Sequence, residues 1–272
     1  MLTPLPPGGT HTEGVFTLLL TQILAAAVLL GACYALFGAL GRLFPCNPEQ
    51  PVFFSRSIGV DLGWGVLGML YAGVGPAIGA LLTAPPFGGR WLAATPLAVQ
   101  VCGLLLATDF CQYWLHRAFH SSALWPFHAV HHSAREVNWT TTFRTHPVNY
   151  LAVSGSMAAG ARLVGFSETS LLVAGPILFL SGVIAHANLN WTFGPLRFVL
   201  ASPVFHRWHH CADAAARERN FAPMFPVWDL MFGTFRMPRA GRPAGFGADG
   251  VPGDLIGQLA HPLRRRAVRA RA

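Results

Sequence analysis

The chain has 272 residues, of which 53% are hydrophobic and only 11% charged, and its mean hydropathy is +0.43. Soluble domains carry about 25% charged residues, so a soluble globular enzyme, a disordered chain and a nucleic-acid binder are all excluded as leading readings. The expected class is an all-α integral membrane protein. The net charge of +8 falls to +3 without Arg264, Arg265, Arg266, Arg269 and Arg271, which all lie in the last nine residues. The excess therefore belongs to a tail beside anionic lipid.

A spanning helix needs about 20 apolar residues. Residues 14–40 are uncharged and flanked by Glu13 and Arg42. The segment before them has no basic n-region, so this run is expected to stay as an anchor. Residues 62–84 form a second run and 91–108 a third, which ends at Asp109. Two shorter runs, 147–161 and 169–185, are separated only by a seven-residue stretch from Arg162 to Glu168. They are expected to form a helical hairpin that dips into the membrane and returns. The expected architecture is thus about three transmembrane helices plus this hairpin. The division is a transmembrane anchor over 1–108, a catalytic region over 109–263 and a basic tail over 264–272.

Arginine placement sets the orientation. The first 13 residues contain none, while the following loop carries Arg42 and Arg56. With the N-terminus outside, three crossings deliver residue 109 onward, and the tail, to the cytoplasm. Five cysteines occur without a C-x-x-C pair, which argues against a disulfide scaffold or a cysteine zinc site. The stretch 237–253 is rich in Gly and Pro and reads as an extended surface segment.

Ten of the twelve histidines lie between residues 116 and 210. His116 and His120 are four apart, and His128/His131/His132 and His206/His209/His210 each repeat an i, i+3, i+4 pattern. On a helix these spacings put rings on one face within a turn. Asp109, Tyr113, His116 and His120 make a single stripe, with Asp109 placed to orient a ring of His116 or Tyr113. Ser202 and Pro203 form a helix start before the last triplet. His11 and His261 have no neighbour at ligand spacing and read as surface or core residues.

Eight histidines in spaced groups imply a metal site. The only acidic residues between 116 and 210 are Glu136 and Glu168, so a carboxylate-bridged di-iron bundle cannot be built. Ligation must be nearly all imidazole, which over-supplies one ion and suits two, and imidazole serves Fe, Cu, Ni and Zn alike.

The pattern resembles the fatty acid hydroxylase/sterol desaturase superfamily of membrane di-iron oxygenases. The matching residues include Asp109-Phe-Cys-Gln-Tyr-Trp-Leu-His-Arg-Ala-Phe-His120, Leu124-Trp-Pro-Phe-His-Ala-Val-His-His-Ser133 and Asn138. Arg144-Thr-His-Pro147, His186-Ala-Asn188, Gly194-Pro-Leu196 and Pro203-Val-Phe-His-Arg-Trp-His-His210 continue the match. Asn220-Phe221, Trp228-Asp-Leu-Met-Phe-Gly-Thr234 and Phe246-Gly-Ala-Asp-Gly250 complete it, over about residues 100–263.

The resemblance implies that His116, His120, His128, His131, His132, His206, His209 and His210 are metal ligands, with His186 a further one. It leaves His146 as a ligand or a residue supporting one, the former being narrowly preferred. Asp109 and Asn188 are the implied catalytic residues outside the ligand set. Two iron ions are implied, which zinc can replace in purified protein, with O2 as co-substrate. The implied partners are a lipid substrate, membrane lipids and an external donor (ferredoxin, cytochrome or reductase). The implied reaction is hydroxylation or desaturation of a sterol, fatty acyl or related lipid, and the location expected from the arginines is a bacterial inner membrane with a cytoplasmic helical cap carrying the histidines. The competing readings are a histidine-rich zinc-binding membrane protein and a metal transporter.

Overall fold

A 33-residue helix, α1 (His11–Leu43), covers the first apolar run in the computed structural model, which describes residues 11–53, 55–82, 92–238 and 241–269. The far end of the second run, Arg90, Trp91 and residues 270–272 of the tail lie outside the described residues, as do the side chains of His11, Arg265, Arg266 and Arg269.

The second run is broken into α2 (Ile58–Tyr71) and α3 (Val74–Leu82). Pro76 supplies the reason: its ring would clash with the carbonyl of Ala72 in a continuous helix. The third run starts late, because the chain makes a 3₁₀ turn at Leu92–Ala94 and passes Pro96 before α4 (Leu97–Phe119) begins. That helix then continues well past the apolar run and carries Asp109, Tyr113 and His116 out of it.

The two shorter runs form α6 (Pro147–Val164) and α7 (Glu168–His186), of which α6 packs mainly on α3 and both pack on α4 rather than chiefly on each other. Gly165, at φ 83°, ends α6 in the left-handed region that favours glycine. Ser167 restarts the chain by accepting a hydrogen bond from the Ser170 amide. The remaining helices are short: α5 (Trp125–His128), α8 (Pro203–His209), α9 (Ala214–Arg217) and α10 (Val227–Met231), before α11 (Leu255–Arg269). No strand occurs among the described residues, although Cys211 and Phe246 make one isolated bridge.

Packing follows side-chain size. A Cβ added to Gly79 of α3 would sit 2.8 Å from the Ala159 amide nitrogen of α6, so only glycine lets these backbones meet. Such small-residue contacts are how helices associate in lipid, where burying apolar surface gives no advantage. Val101, Leu104 and Leu105 of α4 pack with Ala161 of α6 and Ala174 of α7, and Phe37, Trp139, Val183 and Leu189 form a second apolar cluster. Two stretches, Ile58–Leu81 and Glu168–His186, are long and apolar enough to cross a membrane.

One polar clamp joins these helices to the histidine region. The fully buried Asp61 of α2 accepts from Arg144 Nε at 2.7 Å and Thr140 Oγ1 at 2.7 Å. Arg144 is itself 2% exposed, so this ion pair lies out of solvent.

Candidate metal centre

The histidines of the four segments meet at the C-terminal ends of α4 and α7. His116 comes from the last turn of α4 and His120 from the residue that ends it, and His128 closes α5. His131 and His132 occupy a 3₁₀ turn (His131–Ser133), and His186 is the last residue of α7. Ser202 caps α8 by accepting from the Phe205 amide, with Pro203 at the first position, so His206 and His209 lie on a short, well-started helix and His210 at its end.

Nine rings sort into two groups. Ligand atoms of His116, His120, His128, His132 and His209 all lie within 4.8 Å of one another, and so do those of His131, His186, His206 and His210. Each triplet is divided between them. His128 and His132 enter the first group and His131 the second, whereas His206 and His210 enter the second and His209 the first. Helical rotation of about 100° per residue explains this division for α8, since i and i+4 point nearly together and i+3 diverges from i+4 by a full step. The expectation of three rings on one face is replaced by two rings towards one group and one towards the other.

The outward nitrogens fix how each ring is held. Backbone carbonyls only accept, so Nδ1–H of His116 donates to Phe221 O at 2.7 Å, that of His209 to Arg219 O at 2.7 Å and that of His131 to Arg144 O at 3.0 Å. His186 Nδ1–H likewise donates to Gly182 O at 2.7 Å. His128 Nδ1 meets Asn149 Oδ1 at 2.7 Å, and His120 Nδ1 meets Glu218 Oε1 at 3.2 Å. Each bond leaves Nε2 as the lone-pair nitrogen, the arrangement of metal-bound histidines.

The inward nitrogens test whether metal fits. Nε2 of His116, His120, His128 and His209, and both nitrogens of His132, are buried with no hydrogen-bond partner. In the second group, His186 Nε2 lies 3.1–3.2 Å from Nε2 of His131, His206 and His210, and His206 and His210 are 3.1 Å apart. Lone pairs that converge so closely repel unless a cation sits among them. Burial, then crowding by neighbouring rings, pushes His128, His131, His132, His206, His209 and His210 well below the ordinary histidine range. They are neutral at pH 7, the form that binds metal. The residues present fit two ions.

His146 is placed elsewhere. Its Nε2–H donates to Leu259 O at 3.2 Å, and its Nδ1 accepts from the Val148 amide at 3.2 Å, capping α6. His261 is also outside both groups and buried, at 4% exposure. Asn188 pairs with the backbone of Asn47, accepting from its amide and donating to its carbonyl at 2.9 Å each, and so ties the segment after α1 to the end of α7.

Asp109 meets no histidine. Its carboxylate accepts from the amides of Met224 and Phe225 at 2.8 Å and from Trp228 Nε1 at 2.9 Å. Asp229 similarly accepts from the Phe221 and Ala222 amides at 2.8 Å, and from Thr234 Oγ1, which Tyr113 reaches in turn. The two buried aspartates hold residues 221–228 against α4, and that segment presents Phe221 O to His116. Asp109→Asn turns an amide donor towards a donor in this clasp. The expected cost is about 1–3 kcal/mol for one unmet buried bond, read as a lower Tm in detergent, with activity falling more than metal loading.

Sequence reasoning did not single out Glu218, Asn149 or Asp229. Asn149 sits three residues after His146 and Asp229 beside Trp228, so both lie in or near quoted motifs. Glu218 lies between two arginines after the third histidine group, where an exposed charge run is the simplest expectation.

Residues 101–234 match the family model described as fatty acid hydroxylase. The chain is similar to the ornithine lipid hydroxylase of Rhizobium tropici, 31% identical over 178 residues, which are 65% of this chain and 54% of that protein. It is similar to the alkylglycerol monooxygenase of Danio rerio, 31% identical over 131 residues, 48% of this chain and 29% of that protein. It is also similar to a very-long-chain aldehyde decarbonylase of Oryza sativa subsp. indica, 29% identical over 143 residues, 52% of this chain and 53% of that protein. The chain thus spans about half of the first and third of these relatives and under a third of the second. No solved structure matches.

Proposed function

We propose, for a chain that belongs to the fatty acid hydroxylase family over residues 101–234, a membrane-bound oxidoreductase that hydroxylates a C–H bond of a lipid with O2 and electrons from an external donor. The observation that carries this reading is the pair of buried imidazole groups, with nitrogens converging on two points and no acidic residue in either. Similarity to a hydroxylase of ornithine lipid and a monooxygenase of alkylglycerol supports a lipid substrate, and hydroxylation over desaturation.

His116, His120, His128, His132 and His209 would hold one iron ion, and His131, His186, His206 and His210 the other. Iron supplies the redox chemistry with O2 that an unactivated C–H bond requires. The protein's own part is positional. Phe221, Arg219, Arg144 and Gly182 carbonyls aim the rings, Asn149 and Glu218 do the same from side chains, and burial excludes water from the convergence points. Glu218, half-exposed, also places a carboxylate beside the first group. The second group has instead Arg144 and the buried Arg207 as neighbours. His146 is proposed to support His128 by capping α6, which carries Asn149, and Asp109 and Asn188 to act through the backbone they hold.

The proposed topology has the N-terminus outside, spans formed by α1, α2–α3 and α4, and the α6–α7 hairpin entering from the cytoplasmic side. Residues 1–108 then anchor the chain, 109–263 build the centre and 264–272 lie at the inner surface of a bacterial membrane.

Metal analysis of the purified chain is expected to give two ions per chain, and His146→Ala is expected to keep that ratio. In membranes supplied with a reductant, one atom of labelled O2 should enter a lipid while the other leaves as water. Zinc-loaded protein that stays inert after iron exchange, with no label in any lipid, would favour the zinc-binding reading instead.

A further inference from the structure

Helix α11 is built inside out for a helix in water. Its buried positions are Gly257, Gln258, His261 and Pro262, whereas Ile256, Leu259 and Leu263 are 77%, 40% and 69% exposed. At i, i+3 and i+7 these three share a stripe only about 60° wide. The polar face is occupied: Gln258 Oε1 accepts from Trp64 Nε1 at 2.7 Å, and its Nε2 donates to Pro252 O at 2.9 Å and reaches Ser133 Oγ at 3.3 Å.

Two further observations say what covers the apolar stripe. The helix crosses the first turns of α2, where Leu255 packs on Gly63 and Gln258 meets Trp64. From there α2 turns Leu62, Val66, Met69 and Leu70 outward, all exposed and part of a stretch long enough to span a bilayer. The stripe thus belongs to a helix that docks where this apolar, exposed stretch begins. Beyond Leu263 the chain reads Arg264, Arg265, Arg266, Arg269 and Arg271, a charge that suits phosphate headgroups. An apolar stripe beside arginines is the pattern of a helix lying in the plane of a membrane surface.

We propose that α11 lies in the membrane–water interface of an anionic leaflet, with Ile256, Leu259 and Leu263 in the acyl boundary and the exposed Arg264 at the headgroups. The proposal rests on the membrane-spanning reading given above. It gives the bilayer a mechanical link to the metal centre, because Leu259 O receives His146 Nε2–H and Gln258 reaches Ser133, next to His132.

The test uses the full chain in nanodiscs, with Cys102 and Cys111 replaced by Ser and single nitroxides introduced by Ile256→Cys, Leu259→Cys, Leu263→Cys or Gly253→Cys. In phosphatidylcholine–phosphatidylglycerol discs, labels at 256, 259 and 263 should collide more with O2 than with a water-soluble nickel chelate, and the label at 253 should do the reverse. Exchanging phosphatidylglycerol for phosphatidylcholine should move the label at 263 towards water. Labels at 256, 259 and 263 that report water in both bilayers would overturn the proposal. So would protection from both colliders with spin–spin coupling, because a second copy would then cover the stripe. An unchanged depth at 263 without phosphatidylglycerol would overturn the anionic assignment. These readings are independent of bound metal, so a failed oxygenase assay leaves them standing. A chain that does not remain with the discs would sink the membrane reading itself.

Discussion

Chains carrying His209→Ala are expected to lose metal from the first group and to turn over no detectable lipid, while inserting in the membrane as before. His209 brings α8 into a group otherwise built from α4, α5 and the turn after α5. Its removal leaves an open position on the ion and an unpartnered Arg219 carbonyl. Loss of an outer-shell partner costs about 10–100-fold, so loss of a ligand should exceed that range. His131→Ala should do the same to the second group. His261→Ala is the control, since its ring lies outside both groups. Should it remove as much metal as His209→Ala, assignment by geometry would be wrong. Metal content and oxygen incorporation measured on the same preparations decide the matter.

Asp61→Asn should produce the largest loss of stability. The variant leaves the Arg144 guanidinium buried without its counter-charge, and breaking one side of a buried ion pair costs about 3–5 kcal/mol. The consequence reaches the metal centre, because Arg144 O is the acceptor that orients His131. A drop in Tm in detergent should therefore be accompanied by weakened metal retention in the second group. Adding Arg144→Gln should restore part of the stability, because the unpaired charge is then gone. A double variant less stable than Asp61→Asn, beyond simple addition, would contradict this account.

Much of the centre was legible because imidazole clusters at ligand spacing have few other uses. The spacing of His116 and His120, the two triplets and the Ser202–Pro203 helix start all depend on neighbours along the chain. The helices α6 and α7 were legible for the same reason, since each is an apolar run bounded by a short polar break, whereas their packing on α3 and α4 depends on residues far along the chain. Proline changes only the continuity of the second run: Pro76 divides it into two helices, and the stretch Ile58–Leu81 stays long and apolar enough to cross a membrane.

The residues around the histidines were harder to read. Asp109 lies on the same helical stripe as His116, and spacing alone suggests contact, yet its carboxylate is taken by amides more than a hundred residues later. Asn188 follows His186 closely and still points to Asn47. His146 has the residue type of a ligand, but Pro147 starts a helix there, and its ring serves that helix and α11 instead.

By itself, then, the sequence determined the class of the protein and the donors available to metal. Low charge and long apolar runs point to a membrane-associated helical chain, and the near absence of acids between residues 116 and 210 leaves imidazole as the donor on offer. Only the tertiary structure decided which histidine serves which group. Rotation along α8 sends neighbouring rings to different points, while α4, α5 and α7 bring partners from distant parts of the chain. It also decided the supporting contacts of Glu218, Asn149, Asp109 and Asp229, because a hydrogen bond needs two atoms about 3 Å apart, and no local pattern encodes such a distance across a fold.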